Sequence, residues 1–246
     1  QVPHDLWGYD VASPPVLFET EVDGKRVQAV GQAGKTGWFY VHDRKTGTLL
    51  YKSEPFMPQE NIFTPPNAED VRIAPGAAGG ASWSPVSYHP ETGAVYVAAI
   101  HTPPQYTVKS EPGDGKNPPR HYTMATPTDE PRWGTLNAID TKNGRILWQK
   151  KVEQPLVGGV VVTKGELVFV GEGSGRFNAF HATTGELLWQ YQAEGGINAP
   201  PMAYEIDGIE YIAIAAGGSP LFGYKPGAEL LVFALPQEAA TKEPGE

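Results

Sequence analysis

The sequence predicts an all-β fold assembled from small four-stranded antiparallel sheets. Three observations carry this reading. First, 29 Gly and 24 Pro in 246 residues punctuate the chain too often for a helical bundle, while 40% hydrophobic and 11% aromatic content is too apolar for disorder. Second, one segment occurs three times, as Tyr40–Tyr51, Asn137–Trp148 and Asn178–Trp189. Each copy reads as a strand, a tight turn closing in glycine (Gly47, Gly144, Gly185) and a second strand. Third, the last two copies begin about 41 residues apart, the length of one blade in a ring of four-stranded sheets. The architecture implied is a β-propeller.

The third copy spells out a whole blade. Its strands are A at 159–163, B at 167–171, C at 176–181 and D at 186–192, rich in Ile, Val, Leu and Phe. The same grammar places the first blade at 16–22, 26–31, 38–43 and 49–53. The second falls at 85–89, 94–100, 135–140 and 145–152. The fourth has only 201–206, 210–215 and 229–235. The expected organisation is a partial propeller over 1–236, with blades near 14–53, 82–152, 157–192 and 199–236, and a disordered tail over 237–246. Trp148 and Trp189, closing their strands D, are expected to pack on the next blade. His181 takes the place of Asp43 and Asp140 in the repeat and is expected to be a turn residue.

Loop lengths sort the two faces of such a ring. The A–B and C–D turns are minimal. The long insertions 54–81 and 102–134, and the loop 217–228, all fall on the opposite face, where a ligand site is expected. The Pro-rich part, 102–132, is either a lid or an exposed loop. Glycine pairs on that face (Gly79-Gly80, Gly158-Gly159, Gly195-Gly196) either admit a ligand close to backbone or relieve crowding between inner strands.

Composition excludes several chemistries. With 28 acidic and 19 basic residues the formal charge is −9, which argues against nucleic-acid binding through charge. Cysteine is absent, so disulfides, thiolate metal sites and cysteine nucleophiles are excluded. No apolar run is long enough for a membrane helix. The chain opens Gln1-Val2-Pro3 without Met, so a processed, engineered or truncated start is expected. No Gly-x-Ser-x-Gly occurs, the six histidines lack metal-ligand spacing, and Gly171–Gly175 reads as a hairpin turn rather than a phosphate loop. The informative charge is Lys35, in the B–C turn Gly34-Lys35-Thr36-Gly37 on the loop-rich face.

Several stretches resemble the pyrroloquinoline quinone (PQQ) dependent alcohol and glucose dehydrogenases. They are 4–15 (HDLWGYDVASPP), 32–44 (QAGKTGWFYVHDR), 79–85 (GGASWSP), 134–170, 198–202 (NAPPM) and 215–218 (AAGG). The resemblance runs in order over nearly the whole chain. Ile62–Pro66 is similar to the glucose-type enzymes.

That resemblance implies an eight-bladed propeller holding PQQ with Ca²⁺ or a lanthanide, of which this chain corresponds to the C-terminal half. It implies that Lys35 contacts the quinone oxygens. Ser82 stands where many members carry an Asn, Trp83 is a candidate site wall, and Val157 replaces a Trp. The family's catalytic aspartate and metal ligands are expected upstream of the matching region, so catalytic residues are not assigned and the metal would enter only with the missing half. Expected partners are a small alcohol or sugar, and a second copy or a complementary half-propeller that completes the ring. The expected location is the periplasm. The alternatives are a non-catalytic binding scaffold, or another activity such as hydrolysis recruited to the loop-rich face.

Overall fold

The computed structural model describes residues 1–235; the tail expected at 237–246 lies outside them. Every regular element is a strand. In chain order these are β1 (Val16–Val22), β2 (Lys25–Ala33), β3 (Phe39–Asp43), β4 (Leu49–Lys52), β5 (Val71–Arg72) and β6 (Ser87–His89). Next come β7 (Ala94–His101), β8 (Pro104–Glu111), β9 (Arg120–Pro127), β10 (Trp133–Asp140), β11 (Ile146–Val152) and β12 (Val160–Val162). The last six are β13 (Leu167–Gly171), β14 (Arg176–His181), β15 (Leu187–Gln192), β16 (Met202–Ile206), β17 (Ile209–Ala216) and β18 (Glu229–Ala234). They form three four-stranded antiparallel blades, β1-β2-β3-β4, β6-β7-β10-β11 and β12-β13-β14-β15, and a fourth sheet of three strands, β16-β17-β18.

The repeat encodes how blades dock. Its last position is an aromatic with a polar tip. The Tyr51 hydroxyl donates to Thr141 O of the second blade, and Trp148 Nε1 donates to Ala182 O of the third at 2.7 Å. Both acceptors directly follow the last residue of a strand C. The repeat glycine makes room for the ring: a Cβ on Gly185 would lie 2.8 Å from the Trp148 indole, and one on Gly144 3.2 Å from the Tyr51 ring. Both glycines also sit at φ above +60°, which their turn requires. Asp43, Asp140 and His181 cap these turns alike. Asp43 Oδ1 accepts from Lys45 N, Asp140 Oδ1 from Lys142 N, and His181 Nδ1 from Thr183 N. The buried Asn that opens the later two copies is held by a Gln just past the Trp, Asn137 by Gln149 and Asn178 by Gln190.

Between blades lie continuous apolar layers. Phe18, Phe39 and Val41 meet Val95, Val97 and Ile139; Tyr96 and Leu136 meet Val168 and Phe180; Phe169 and Phe177 meet Ile212 and Ile214. The two outermost faces differ. On the fourth sheet, the side away from the third blade carries Met202, Tyr204, Ile206, Tyr211, Leu230 and Val232, with no charge, and Leu230 is 73% exposed. On the first sheet the corresponding side carries Glu19, Glu21, Arg26 and Gln28 beside Leu17 and Val30, with Arg26 ion-paired to Glu19.

The Pro-rich insertion is not an irregular loop. It is a hairpin, β8–β9, in full register from Pro104 opposite Pro127 to Glu111 opposite Arg120. Its other prolines lie at the tip or beyond the strands, where no ladder hydrogen bond is lost. The pattern is hard to read because β9 is exposed along its whole length. β5, from the other insertion, adds to β8 as a third strand. The two insertions are therefore one structure.

Substituting Trp148 separates the two parts of the docking contact. Trp148→Ala is expected to lower stability by about 3–5 kcal/mol, and Trp148→Phe, which keeps a six-membered ring but loses the N–H and part of the indole packing, by about 1–3 kcal/mol. Urea unfolding followed by circular dichroism checks both.

Candidate active site

The loop-rich face is built in two tiers. The lower tier is the ends of the inner strands. The upper tier is a satellite core in which Trp7, Tyr9, Ile73 and Tyr106 pack with Val2, Ile62, Val71 and Ala77. It is cross-linked by polar tips: the Tyr106 hydroxyl donates to Trp7 O at 2.7 Å and accepts from Ala77 N at 2.9 Å, while Trp7 Nε1 donates to Thr64 O at 2.8 Å. Burial pushes the Tyr106 phenol up to about 12, and raises that of Tyr9 as well. Both phenols stay neutral at physiological pH. Arg72 ties the layer together through Glu60 and Glu130.

This upper tier holds the segment His4–Asp10 over Lys35. The Lys35 side chain is buried, and its ammonium donates to Gly8 O at 3.0 Å and to Asp10 Oδ1 at 2.6 Å. An ammonium has three N–H groups, so one remains for a ligand. Asp10 is largely exposed. The turn that carries Lys35 is closed by Gly37 N donating to Gly34 O. Gly34 O also accepts from Ala81 N, which sets Ser82 and Trp83 beside the lysine turn. Ser82 is fully buried, and its hydroxyl has no hydrogen-bond partner. Trp83 is 40% exposed and packs edge-on against Phe222. It is a wall of the face rather than core. Val157 lies against the cluster of Ile100, Phe222 and Tyr224.

The glycine pairs on this face relieve crowding between blades. A Cβ on Gly80 would lie 2.5 Å from Gly34 O, one on Gly158 2.5 Å from Ala199 O, and one on Gly195 2.7 Å from Gly227 Cα. Gly171–Gly175 is the turn between β13 and β14, as its pattern implies.

One residue escaped sequence reasoning. The turn Glu172–Gly175 repeats the lysine turn, with Gly175 N donating to Glu172 O, and Ile197 N donating to Glu172 O as Ala81 N does to Gly34 O. Asn198 is thus the counterpart of Ser82 two blades on, and Gly173 is the counterpart of Lys35. Neither amide atom of Asn198 has a partner. The signal was present: Gly79-Gly-Ala-Ser82 and Gly195-Gly-Ile-Asn198 superpose. Buried polar atoms without partners are rare in folded proteins. Here they come from Tyr9, Ser82, His101, Thr102, Gln154 and Asn198, all on this face, and from His89 on the other. Among the described residues, no group of three His, Asp or Glu comes together as metal ligands.

Two measurements follow. Ser82→Ala is expected to leave stability unchanged or raise it by up to about 1 kcal/mol, since the hydroxyl it removes is desolvated and unpaired; a thermal melt reads this. His101 is buried against Trp133, and burial lowers its pKa from 6.5. The unfolded chain then binds that proton more readily than the native one. The His101 contribution is present above about pH 6.5 and is lost as pH falls toward the lower native value. His101→Asn should flatten the pH dependence of the urea midpoint in that window.

Comparison with known proteins places this geometry. The model of the glucose/ethanol/alcohol dehydrogenase β-propeller domain, a PQQ family, matches residues 1–60 and 55–212. A quinoprotein ethanol dehydrogenase of Pseudomonas putida is 34% identical over 90% of this chain, which covers 40% of that protein. Among solved structures, the quinohemoprotein alcohol dehydrogenase of Comamonas testosteroni superposes over 98% of this chain, with a TM-score of 0.79 and 27% identity. The ADHIIG enzyme of Pseudomonas putida HK5 superposes over 99%, with a TM-score of 0.80 and 29% identity. These two matches cover 40% and 42% of the solved chains. The chain thus spans about two-fifths of the proteins it resembles.

Proposed function

We propose, from the premise that this chain belongs to the PQQ-dependent glucose/ethanol/alcohol dehydrogenase family, that its loop-rich face forms part of a quinone-cofactor site for alcohol or sugar oxidation. The observation that carries this is the buried Lys35 ammonium, with an N–H to spare, beside the unpartnered hydroxyl of Ser82. PQQ is flat, anionic and rich in acceptor oxygens. Lys35 and Ser82 fit it as donors, and the exposed Trp83 ring fits as a wall for a planar ligand. Bound PQQ supplies the acceptor for the electrons of the oxidised alcohol. Lys35 then places fixed positive charge against the ligand, held at one position by Gly8 O and Asp10 and needing no reorganisation. The described residues do not fit a Ca²⁺ or lanthanide ion, so no step is assigned to a metal here.

The 246 residues alone are proposed to lack quinoprotein turnover, since nothing in them is assigned as base or metal ligand. Ring completion by a complementary half-propeller fits the structure better than completion by a second copy. The uncharged outer face of β16–β18 would bury Glu19, Glu21 and Arg26 if it met the first blade of a twin. The periplasm remains the proposed location. A non-catalytic binding scaffold is the second reading, favoured by Lys35 already being paired with Asp10.

Titration calorimetry of the chain with PQQ is expected to show weak saturable binding, reduced at least tenfold in Lys35→Ala. Equal affinity in the variant overturns the assignment of Lys35. Dye-linked oxidation of ethanol or glucose, with PQQ and Ca²⁺ added, is expected to stay at background. Robust turnover would show that no further half is required.

A further inference from the structure

Each blade-to-blade junction puts one residue at an equivalent point of the loop-rich face. Ala81 N donates to Gly34 O, Leu156 N to Ala99 O and Ile197 N to Glu172 O, and the residues that follow are Ser82, Val157 and Asn198. They form a continuous arc. The Ser84 hydroxyl donates to Val157 O at 3.1 Å, and the Asn198 backbone lies against Gly158, 2.9 Å from where a Cβ would stand. The middle of the arc is apolar: Val157 packs with Phe222, whose ring meets Trp83. Its two ends are polar and unsatisfied. Both amide atoms of Asn198 are buried with no partner among the described residues, and so is Gln154 Oε1, on the stretch that leads to Val157. The buried asparagines of the repeat behave differently. Asn137 Nδ2 donates to Val97 O at 2.9 Å and Asn178 Nδ2 to Glu172 Oε1 at 2.6 Å, and each Oδ1 accepts from a glutamine. Burying an amide without a partner destabilises a fold, and Val157 shows that an apolar side chain suits such a junction. The Asn198 amide is therefore a cost that the fold itself does not recover.

We propose, on the reading of this face as a quinone-cofactor site, that Asn198 is a specificity-determining residue whose amide takes a second hydroxyl of the substrate, one that is not oxidised. The substrate class that follows is a polyol or sugar, not a monohydric alcohol. A side-chain amide carries two N–H groups and one carbonyl, and a hydroxyl both donates and accepts, so vicinal hydroxyls satisfy both amide atoms together. Gln154 Oε1 supplies a further acceptor on the neighbouring stretch. The apolar ground of Val157 and Phe222, between Ser82 and Asn198, suits the C–H side of such a ligand. Discrimination is strong in this direction: a site built to hydrogen-bond a hydroxyl rejects the analogue that lacks it, because the buried amide is again left unpaired.

The probes are sorbitol and ethanol, each titrated into the isotope-labelled 246-residue chain and followed by NMR. The Asn198 side-chain NH₂ signals, identified by their loss in Asn198→Ala, are expected to shift saturably with sorbitol and not with ethanol. In Asn198→Leu the sorbitol-induced shift of the Trp83 indole signal should need at least tenfold more ligand, while the melting temperature equals or exceeds that of the unchanged protein. Should Asn198→Leu fail to fold, Asn198→Ala carries the same comparison. Equal responses to sorbitol and ethanol overturn the proposal, and so does the lack of any saturable response to sorbitol. A lowered melting temperature in both variants with an unchanged sorbitol midpoint assigns the amide to the fold and also overturns it. PQQ calorimetry on the same samples separates the two readings. A sorbitol response without PQQ binding leaves the hydroxyl contact standing and sinks the cofactor reading; PQQ binding without a sorbitol response sinks the hydroxyl contact alone.

Discussion

One contact recurs and organises the molecule: an aromatic tip at the third position of an outer strand donates to the first carbonyl after strand C of the next blade. Tyr51 makes it to Thr141, and Trp148 makes it to Ala182. A blade is a sheet buried on both sides, so its sequence alternation says little about where its neighbour sits. The aromatic supplies that information. It is large enough to close the apolar layer, and its single polar group is satisfied at only one place on the next blade. The repeat glycine beneath the ring serves both turn and interface, since its positive φ and its missing side chain are used together. Spacing, turn and docking are therefore properties of one twelve-residue segment.

The working face inherits its order from that arrangement. Blades stacked this closely bring backbone to backbone at the inner strand ends, which is why Gly80, Gly158 and Gly195 are glycine. What remains for chemistry is whatever side chains the turns present. The first B–C turn presents Lys35, and the third presents Gly173, over which the Tyr224 ring is packed. Two equivalent turns thus differ: one contributes a cation, and the other is covered by a phenol. The insertions pair with each other through β5 and β8. They build a small second core, around Tyr106, that fixes the segment carrying Gly8 and Asp10 against the lysine.

Much of this was legible in residues. The strands of all four sheets follow from the repeat and its turns, because glycine and β-branched residues mark strand ends and interiors by local sterics. Lys35 was legible for a different reason: its turn resembles a known family, and no composition argument singles out one lysine. The hairpin β8–β9 was not legible, because only Tyr106 and its neighbours meet other residues and β9 meets solvent throughout. Asn198 was missed although Gly195-Gly-Ile-Asn198 repeats Gly79-Gly-Ala-Ser82, and what makes the match meaningful is a pair of backbone hydrogen bonds, Ala81 to Gly34 and Ile197 to Glu172, that span more than twenty residues each.

By itself, then, the sequence determined the blade, its period, the face on which loops gather and the family resemblance, all properties of local periodicity and short motifs. The tertiary structure decided how the two insertions combine, which carbonyl and carboxylate hold Lys35, which polar atoms are left without partners, and that one outer face is uncharged while the other is not. Those depend on contacts between residues far apart in the chain, and burial, which decides whether a hydroxyl or an ammonium has a partner, exists only once the blades have closed on one another.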